Sequence, residues 1–345
     1  MAIRSDNAQD GRTRGKAAAT TLPAIPVVDV GPDWPFETLE HELDRINALL
    51  DAGSGRIPSL AIKLADAVSR RWLERWHEPY LEEIDRIAER IARPGAYFLN
   101  ISYEWGCTSS AGPSPDERSA RLVRVLDWPD RGLGRYVMAA RVACDAGTWL
   151  TLTWPGYTGV LQAVAPGRFA AALNQAPMDQ PVGVLPADWV VNRWRVWKQP
   201  HLTPAHLLRQ VFEQAGTFAE AKAMLVETPI ALATIYILAG VAPGDACVIE
   251  RMPEEAHVID GPACAANAWQ APAWSGRPRG EENIQRLSCM KAAARSFDDD
   301  FAWLEPPILN WQTRLALVAD ASSGELMAQG FEADGAATTI LRVTC

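Results

Sequence analysis

The spacing of apolar residues changes near residue 95, and this change restricts the folds open to the chain. Between residues 36 and 93 apolar side chains recur at helical spacing, in a stripe made by Leu60, Leu64, Val68, Trp72, Trp76, Leu81, Ile84, Ile87 and Ile91. From residue 95 the chain breaks into short strand-like runs, beginning with AYFLNISYEW and RLVRVLDW, that are separated by turn residues. The pattern predicts a helical N-terminal segment followed by sheet-forming chain.

A second helical block and a second set of strands follow. The block covers residues 203–227 and opens on a Thr-Pro pair, which is a start signal for a helix. Strand-like runs resume at residues 230–240, 246–251, 314–320 and 338–343. This order predicts an α+β domain in which helices cover sheets. We expect the apolar stripe to pack on a sheet, with contact to a lipid-like substrate as the alternative, and Pro79 to divide its helix.

The composition and charge of the 345 residues narrow the class of partner. With 48% hydrophobic residues, the chain can bury a sizeable core as one large domain or two ordinary ones. The net charge of −9 is spread along the chain, which argues against nucleic acid and anionic lipid and favours a neutral or cationic small molecule. The longest apolar run, residues 229–242, is shorter than the roughly 20 residues of a membrane span, so we interpret it as a buried strand.

The ends and motifs of the sequence predict neither a signal nor a cofactor. Residues 1–30 are polar and lack the apolar core of a secretion signal, so we predict a disordered lead and a cytoplasmic protein. The six cysteines form no CxxC pair. The segment RGLGR at 131–135 lacks the third glycine of a dinucleotide fingerprint, and no GxxxxGK[ST] or HExxH pattern occurs. We therefore expect no cofactor and no metal.

Cys107 follows a glycine at the start of a segment that can fold as a hairpin. CTSSA is followed by the turn-rich GPSPDERS and then by ARLVRVLDW. Position 117, midway between Cys107 and Asp127, falls in the turn, so an antiparallel hairpin returns Arg124 and Asp127 to the neighbourhood of the sulfur. A nearby arginine lowers the pKa of a thiol. The residues alone leave two interpretations open, a nucleophile with its partners or an ordinary hairpin with a salt bridge.

Several segments in a fixed order resemble the acid ceramidase and N-acylethanolamine acid amidase family of N-terminal-nucleophile hydrolases. They are LNISYEWGCTSS, RVLDWP, WPGYTGVLQAVAPGRFAAALNQ, ILAGVAPGDACVIER, AANAWQAP and EPPILNWQTRLALVADASSGEL. The choloylglycine hydrolases and penicillin V acylases are more distantly similar. The resemblance implies an αββα sandwich and a chain that cuts itself between Gly106 and Cys107. Residues 31–106 would then form a helical small subunit, and residues 107–345 the catalytic portion.

The resemblance also implies how Cys107 would act. The cysteine would be the nucleophile, and its freed α-amino group, with a pKa of roughly 8, would serve as the base. Asp127 would hold that amino group, and Arg124 would tune the sulfur and the carboxylate. No histidine is then required, and none of the five histidines lies in a motif that demands a catalytic role.

Three further positions follow from the same resemblance. Asn267 would donate a hydrogen bond to the oxyanion, and Asn174 matches a second family asparagine near the acyl carbonyl. For the arginine that follows the Asn267 counterpart we favour Arg279, with Arg277 and Arg286 as alternatives.

The sequence departs from the family pattern at two points. The interval from Cys107 to Arg124 is one residue longer than the resemblance implies, and the proline-containing turn can absorb the extra residue. Asn192 stands where the animal enzymes have a glutamate, and an amide cannot act as a base. Self-cleavage could therefore be slower, differently assisted or absent.

The sequence as a whole predicts hydrolysis of a small-molecule N-acyl amide with an apolar acyl half. The aromatic residues Trp105, Trp128, Trp149, Trp154 and Tyr157 suit either an acyl chain or an ordinary core. Two alternatives stay open. One is acyl transfer to a second amine through the same thioester, and the other is an uncut chain that binds a ligand without catalysis.

Overall fold

The computed structural model describes residues 21–54, 58–101, 105–293 and 300–345, which form two β-sheets flanked by helices. The helices are α1 (Trp34–His41), α2 (Leu43–Ser54), α3 (Ser59–Arg75), α4 (Leu81–Ile91), α5 (Ala96–Ile101), α6 (Leu185–Trp197), α7 (Pro204–Gln214), α8 (Phe218–Glu227) and α9 (Asn283–Ala293). The strands are β1 (Val27–Val30), β2 (Gly106–Pro113), β3 (Ala120–Asp127), β4 (Met138–Val142), β5 (Trp149–Thr153), β6 (Gln162–Ala165), β7 (Phe169–Gln175), β8 (Thr234–Ala239), β9 (Ala246–Arg251), β10 (Ala256–Asp260), β11 (Ala263–Ala265), β12 (Thr313–Asp320), β13 (Glu325–Glu332), β14 (Gly335–Ala336) and β15 (Leu341–Thr344).

Each sheet has a simple strand order. The eight-stranded sheet runs β1-β4-β5-β6-β7-β8-β9-β10, with β1 parallel to β4 and the other neighbours antiparallel. The seven-stranded sheet runs β11-β2-β3-β12-β13-β14, and β15 also pairs with β13. Most connections between paired strands are therefore short hairpins, which the turn residues of the sequence indicate.

The two sheets stack, and helices cover their outer faces. Strands β2 and β3 lie against β7 and β8, while α7 and α8 pack on the eight-stranded sheet and α9 packs on β2 and β11. Alternation along β3 divides its side chains between two cores. Leu122 and Leu126 join the core between the sheets, and Val123 and Val125 join the core under α9. The αββα sandwich predicted from the sequence is confirmed.

The apolar stripe of the N-terminal segment is only partly buried. Helix α3 ends at Arg75 and α4 begins at Leu81, so the chain breaks around Pro79 as predicted. Ile84 and Ile87 of α4 are fully buried, whereas Leu60, Leu64 and Val68 of α3 are exposed by 68%, 60% and 56%. The expectation that the whole stripe packs on a sheet is wrong for the first three turns of α3.

The segment AYFLNI forms α5 instead of the predicted strand. A short apolar run does not by itself distinguish a strand from a buried helix. Asp66 of α3 decides the outcome here, because its carboxylate accepts hydrogen bonds from the amides of Gly95 (2.5 Å) and Phe98 (2.9 Å) at the start of the helix. The patterns in the sequence also do not predict α6 and α9.

The lead predicted for residues 1–30 is not disordered throughout. Val27–Val30 form β1, the edge strand of the eight-stranded sheet. Residues 1–20 lie outside the described residues, so the prediction for them stays a prediction. In the described ranges no helix combines the length and apolar character that crossing a bilayer requires.

Candidate active site

The hairpin of β2 and β3 carries the candidate nucleophile and two of its predicted partners. Gly106 pairs with Asp127, and Ser109 pairs with Arg124, one residue off the symmetry predicted about position 117. Paired side chains share a face and neighbours alternate, so Cys107 and Arg124 face the eight-stranded sheet while Asp127 faces α9. The sulfur and the carboxylate therefore lie on opposite faces of the seven-stranded sheet.

Cys107 and Arg124 form a buried pair between the sheets. The Arg124 Nη2 atom lies 3.1 Å from Sγ, and the guanidinium also donates to the carbonyls of Leu161 (3.1 Å) and Leu173 (2.7 Å). Burial raises the pKa of the Cys107 thiol, and the charge and hydrogen bond of Arg124 oppose that rise. Burial has the larger effect, so the uncut chain holds a thiol with a cation placed to stabilise the thiolate.

Asp127 lies on the other face, beneath α9. Its Oδ1 accepts a hydrogen bond from Thr313 (2.9 Å), and its Oδ2 lies 3.4 Å from Nη1 of Arg286. Burial raises the pKa of this carboxyl group, and the charge of Arg286 is the chief opposing effect. The carboxylate is close to the candidate scissile bond, because a Cβ atom built on Gly106 would lie 3.7 Å from Asp127 Oδ2.

Asn267 contacts the nitrogen of the candidate scissile bond. Its Oδ1 accepts a hydrogen bond from the Cys107 amide at 2.7 Å, and its Nδ2 donates to the Gln175 carbonyl at 2.8 Å. In the uncut chain the oxygen, and not Nδ2, therefore meets Cys107. The donor role that the resemblance implies stays a prediction for the cut chain.

Asn174 lies on β7, on the sulfur side of the hairpin. Its Oδ1 accepts from the Ser109 hydroxyl at 2.7 Å, and its Nδ2 is directed at the Ala265 and Ala266 carbonyls at 3.4 and 3.5 Å. The side chain is fully buried. The structure thus brings Asn174 to the strand that carries Cys107, where it contacts Ser109, two residues after the cysteine.

Arg286, and not Arg279, reaches Cys107. Its Nη1 donates to the Cys107 carbonyl (2.8 Å) and to the Thr108 hydroxyl (2.7 Å), and its Nη2 donates to Asn267 Oδ1 (3.3 Å). The contacts therefore favour the alternative Arg286 over Arg279, and the role of this arginine stays a prediction. The physical reason is α9, whose first turn returns residue 286 to β2, whereas Arg279 contributes a backbone amide to the Asn267 carbonyl.

Asn283, at the start of α9, is a site residue that the sequence analysis missed. Its Oδ1 accepts from the Asn267 amide (2.8 Å) and from Arg286 Nη2 (3.1 Å). Its Nδ2 donates to the carbonyls of Arg279 (2.8 Å) and Gly280 (3.2 Å). One side chain therefore links the Asn267 loop, the loop before α9 and the buried arginine. An asparagine just before the helical run IQRL is the signal that could have located it.

Comparisons with known proteins find similar sequences and a similar fold. No family model matches the sequence. The acid ceramidase of Homo sapiens is 30% identical over 105 residues, which cover 30% of this chain and 25% of that protein. The N-acylethanolamine-hydrolyzing acid amidase of Cavia porcellus is 22% identical over 184 residues, which cover 50% of this chain and 48% of that protein. Over about a third of its length, this chain is similar to the acid ceramidases.

A solved structure shares the fold of this chain. The Caenorhabditis elegans ortholog of N-acylethanolamine-hydrolyzing acid amidase matches with a TM-score of 0.51 and 18% identity, over 69% of this chain and 100% of that chain. The likeness assigns the N-terminal-nucleophile hydrolase fold. The chain spans 25% to 48% of the length of the two curated relatives above.

Asn192, the second position at which the sequence analysis expected a departure from the family pattern, lies on α6 and forms hydrogen bonds to nearby backbone. Its Nδ2 donates to the carbonyls of Asp179 and Asp188, both at 2.8 Å. It lines a shallow depression with Trp189 and Arg279. Within the described part of the chain it makes no hydrogen bond to Cys107.

The remaining features singled out in the sequence have structural roles. The amides of Gly132, Gly134 and Arg135 in RGLGR all donate to Glu332 Oε1 at 3.0 to 3.2 Å, so a carboxylate of the chain itself occupies this loop. His206 is fully buried between Glu78 and Thr158. In the described ranges no group of His, Cys, Asp and Glu is arranged to hold a metal ion.

The aromatic residues divide between core and site. Trp149 packs in the core against Trp34 and Phe212, with ring centroids 5.5 and 5.4 Å away. Trp105 stacks on Trp128 at 4.7 Å, immediately before the Gly106–Cys107 bond.

Proposed function

We propose that this chain is a cysteine amidase that cuts its own Gly106–Cys107 bond and then hydrolyses N-acyl amides. The observation that carries the proposal is the convergence of four polar side chains on Cys107 and the glycine before it. Arg124 contacts the sulfur, Asn267 the amide nitrogen and Arg286 the Cys107 carbonyl. Asp127 lies beside Gly106. A hairpin with a surface salt bridge would not require such groups to be buried.

The self-cleavage would begin with the Cys107 thiol. Sγ attacks the carbonyl carbon of Gly106, the carbon–nitrogen bond breaks, and the thiol proton ends on the Cys107 nitrogen. A thioester then joins Gly106 to the sulfur, and water hydrolyses it. The products are a carboxylate on Gly106 and a free thiol and α-amino group on Cys107.

The cut chain would use the new α-amino group as its base. With a pKa of roughly 8, this group is partly neutral at neutral pH and takes the thiol proton. Asn267 Oδ1, which holds the nitrogen in the uncut chain, would then accept a hydrogen bond from the ammonium. The ammonium protonates the departing amine, and the neutral amine next activates the water that releases the carboxylic acid.

An apolar cavity supports a hydrocarbon-like acyl half. The cavity has a volume of about 130 Å³ and lies between the N-terminal helices and the sheets. Its walls include Ile46, Leu49, Ile87, Trp128 and Leu161. Leu161 is adjacent to both the cavity and the site, because its carbonyl accepts a hydrogen bond from Arg124. Such a wall composition suits an aliphatic chain.

Intact mass and an amide assay test the proposal together. Purified protein and its Cys107→Ala variant are incubated at neutral and mildly acidic pH, and fragments are measured by mass spectrometry. We expect two fragments that meet at Gly106 and Cys107 in the wild type alone. The cut protein should release dodecanoic acid from N-dodecanoylethanolamine. A chain that stays whole under every condition, or a cut chain without amidase activity, would contradict the proposal.

A further inference from the structure

A depression of about 390 Å³ opens directly outside the Gly106–Cys107 bond. Trp105 and Gly106 line it, together with the loop of residues 277–281. This loop lies close to the bond, because a Cβ atom built on Gly280 would be 3.7 Å from the Gly106 Cα atom. The depression therefore borders Gly106, the residue bonded to the Cys107 nitrogen.

The chemistry proposed above assigns one half of the substrate to this space. The departing amine takes its proton from the α-amino group, so the two nitrogens must approach within hydrogen-bond distance. In the uncut chain Gly106 is bonded to that same nitrogen, and Gly106 lies in the depression. The amine half of a substrate would occupy the space that Gly106 vacates, with its substituents toward the 277–281 loop.

The charges around the depression are unlike those of the whole protein. The chain carries a net charge of −9, yet the loop presents Arg277 and Arg279, with Glu281 as the one carboxylate among the described lining residues. Arg277 is exposed and, within the described ranges, forms no ion pair. Its backbone is held in place by two hydrogen bonds with Met178, at 2.8 and 2.9 Å. A fixed backbone with an exposed guanidinium is suited to binding an anion.

We infer that the amine half of the substrate carries a carboxylate, which Arg277 and Arg279 bind. The substrate class is then an N-acyl amino acid, and this inference rests on the amidase function proposed above. The guanidinium group of an arginine can donate two parallel hydrogen bonds to a carboxylate. A neutral alcohol, such as that of an ethanolamide, uses only part of this pair of donors. Arg277 and Arg279 act as specificity residues, because they contact the part of the substrate beyond the reacting atoms.

A matched pair of substrates tests the inference. N-dodecanoylglycine and N-dodecanoylethanolamine share the acyl chain and the amide, and differ in the group that faces the loop. We expect the cut wild type to favour the glycine conjugate through a lower KM. In Arg277→Gln the ratio of the two kcat/KM values should fall by about tenfold, the typical effect of one charge-assisted hydrogen bond. In Glu281→Gln the ratio should rise, because the competing carboxylate is removed.

Arg118→Gln is the matched control, since Arg118 lies in the turn of the β2–β3 hairpin with its side chain 87% exposed. It should leave the ratio unchanged. Hydrolysis of both amides with no preference for the glycine conjugate, or the same ratio in Arg277→Gln, would overturn the inference and leave the amidase function standing. An unchanged ratio in Arg277→Gln is the result expected if the two arginines instead bind the carboxylate that self-cleavage leaves on Gly106. Hydrolysis of neither amide would overturn the amidase function and the inference with it.

Discussion

At the scale of single residues, two opposing effects set the reactivity of Cys107. Burial raises the pKa of the thiol, and Arg124, 3.1 Å from the sulfur, lowers it. The carboxyl group of Asp127 lies on the other face of the hairpin, where Arg286 compensates its charge. The Cys107 sulfur and the Asp127 carboxylate thus each lie next to a different arginine.

Removal of Arg124 should move the ionisation of the thiol to higher pH. Arg124 favours the thiolate, so its loss raises the thiol pKa. The expected result for Arg124→Gln in the cut protein is an alkylation profile with iodoacetamide displaced upward in pH, read by mass spectrometry. Arg121→Gln, on the same strand but paired with Asp320, is the control. Identical profiles for wild type and Arg124→Gln would contradict the assignment.

Replacement of Asn283 by alanine should slow self-cleavage and lower stability. The change leaves the Asn267 amide and Arg286 Nη2 without their shared acceptor, which costs about 1 to 3 kcal/mol of unfolding free energy. Asn283→Asp keeps the acceptor, so it should retain more of the cleavage rate than the alanine variant. Urea unfolding gives the stability, and fragment appearance over time gives the rate. Equal cleavage rates in all three proteins would show that Asn283 does not position the site.

Part of the site could be predicted from single residues and part could not. The interval between Cys107 and Arg124 is spanned by one hairpin, so local pattern is enough to bring these residues together. Arg286 and Asn283 depend on where α9 starts and on how it packs against β2. Such packing is a property of the tertiary structure and is not visible in the sequence. The sequence analysis therefore favoured Arg279.

At the scale of elements, the strands were more predictable than the isolated helices. Along β3, alternating side chains enter two cores, and alternation is visible in the sequence. The six residues of α5 have no such signature, and a carboxylate from another helix caps them. Helix α3 shows the converse, because its apolar periodicity is clear although Leu60 and Leu64 remain exposed.

The loop before β4 crosses β13 at a point where only glycine fits. A Cβ atom on Gly134 would lie 1.8 Å from the Phe331 carbonyl oxygen, which is backbone and cannot rotate away. We expect Gly134→Ala to lower the unfolding free energy by about 3 kcal/mol or more. Gly244→Ala is the control, because nothing lies within 4 Å of a Cβ atom there. Equal urea midpoints for the two variants would contradict the crossing.

At the scale of the whole molecule, buried polar contacts join the two segments that self-cleavage would separate. Arg209 of α7 forms a salt bridge with Glu83 of α4 at 2.5 Å, and Asn100 of α5 accepts a hydrogen bond from the Thr158 amide at 2.7 Å. His206 lies 3.0 Å from Glu78. These contacts do not involve the Gly106–Cys107 bond, so they would persist after it is cut.

The two fragments of a cut chain should therefore migrate together in gel filtration and separate only in denaturant. Arg209→Ala leaves Glu83 buried without its cation, and removing one partner of such a pair costs about 3 to 5 kcal/mol. The variant should release the small fragment at lower urea concentration. Arg70→Ala, which removes an exposed pair with Asp85, should change the midpoint little. Equal release in both variants would show that the Arg209 contact does not join the fragments.

The net charge of the molecule differs in sign from the charge of the loop outside the candidate scissile bond. A total of −9 favoured a neutral or cationic partner, yet the loop outside the candidate scissile bond presents Arg277 and Arg279. The sum of charges governs solubility and long-range attraction, whereas a few fixed side chains govern recognition at a site. The composition of a chain does not show where those side chains lie in the folded protein.

The two faces of the β2–β3 hairpin carry different side chains, and this difference limits where residues can be inserted into the chain. An insertion in the turn between Pro113 and Ala120 would leave the pairing of β2 with β3 intact. An insertion of one residue between Cys107 and Pro113 would exchange the two faces of β2 beyond it. Length variation among descendants of this chain should therefore accumulate at the turn and be eliminated by selection within the strands.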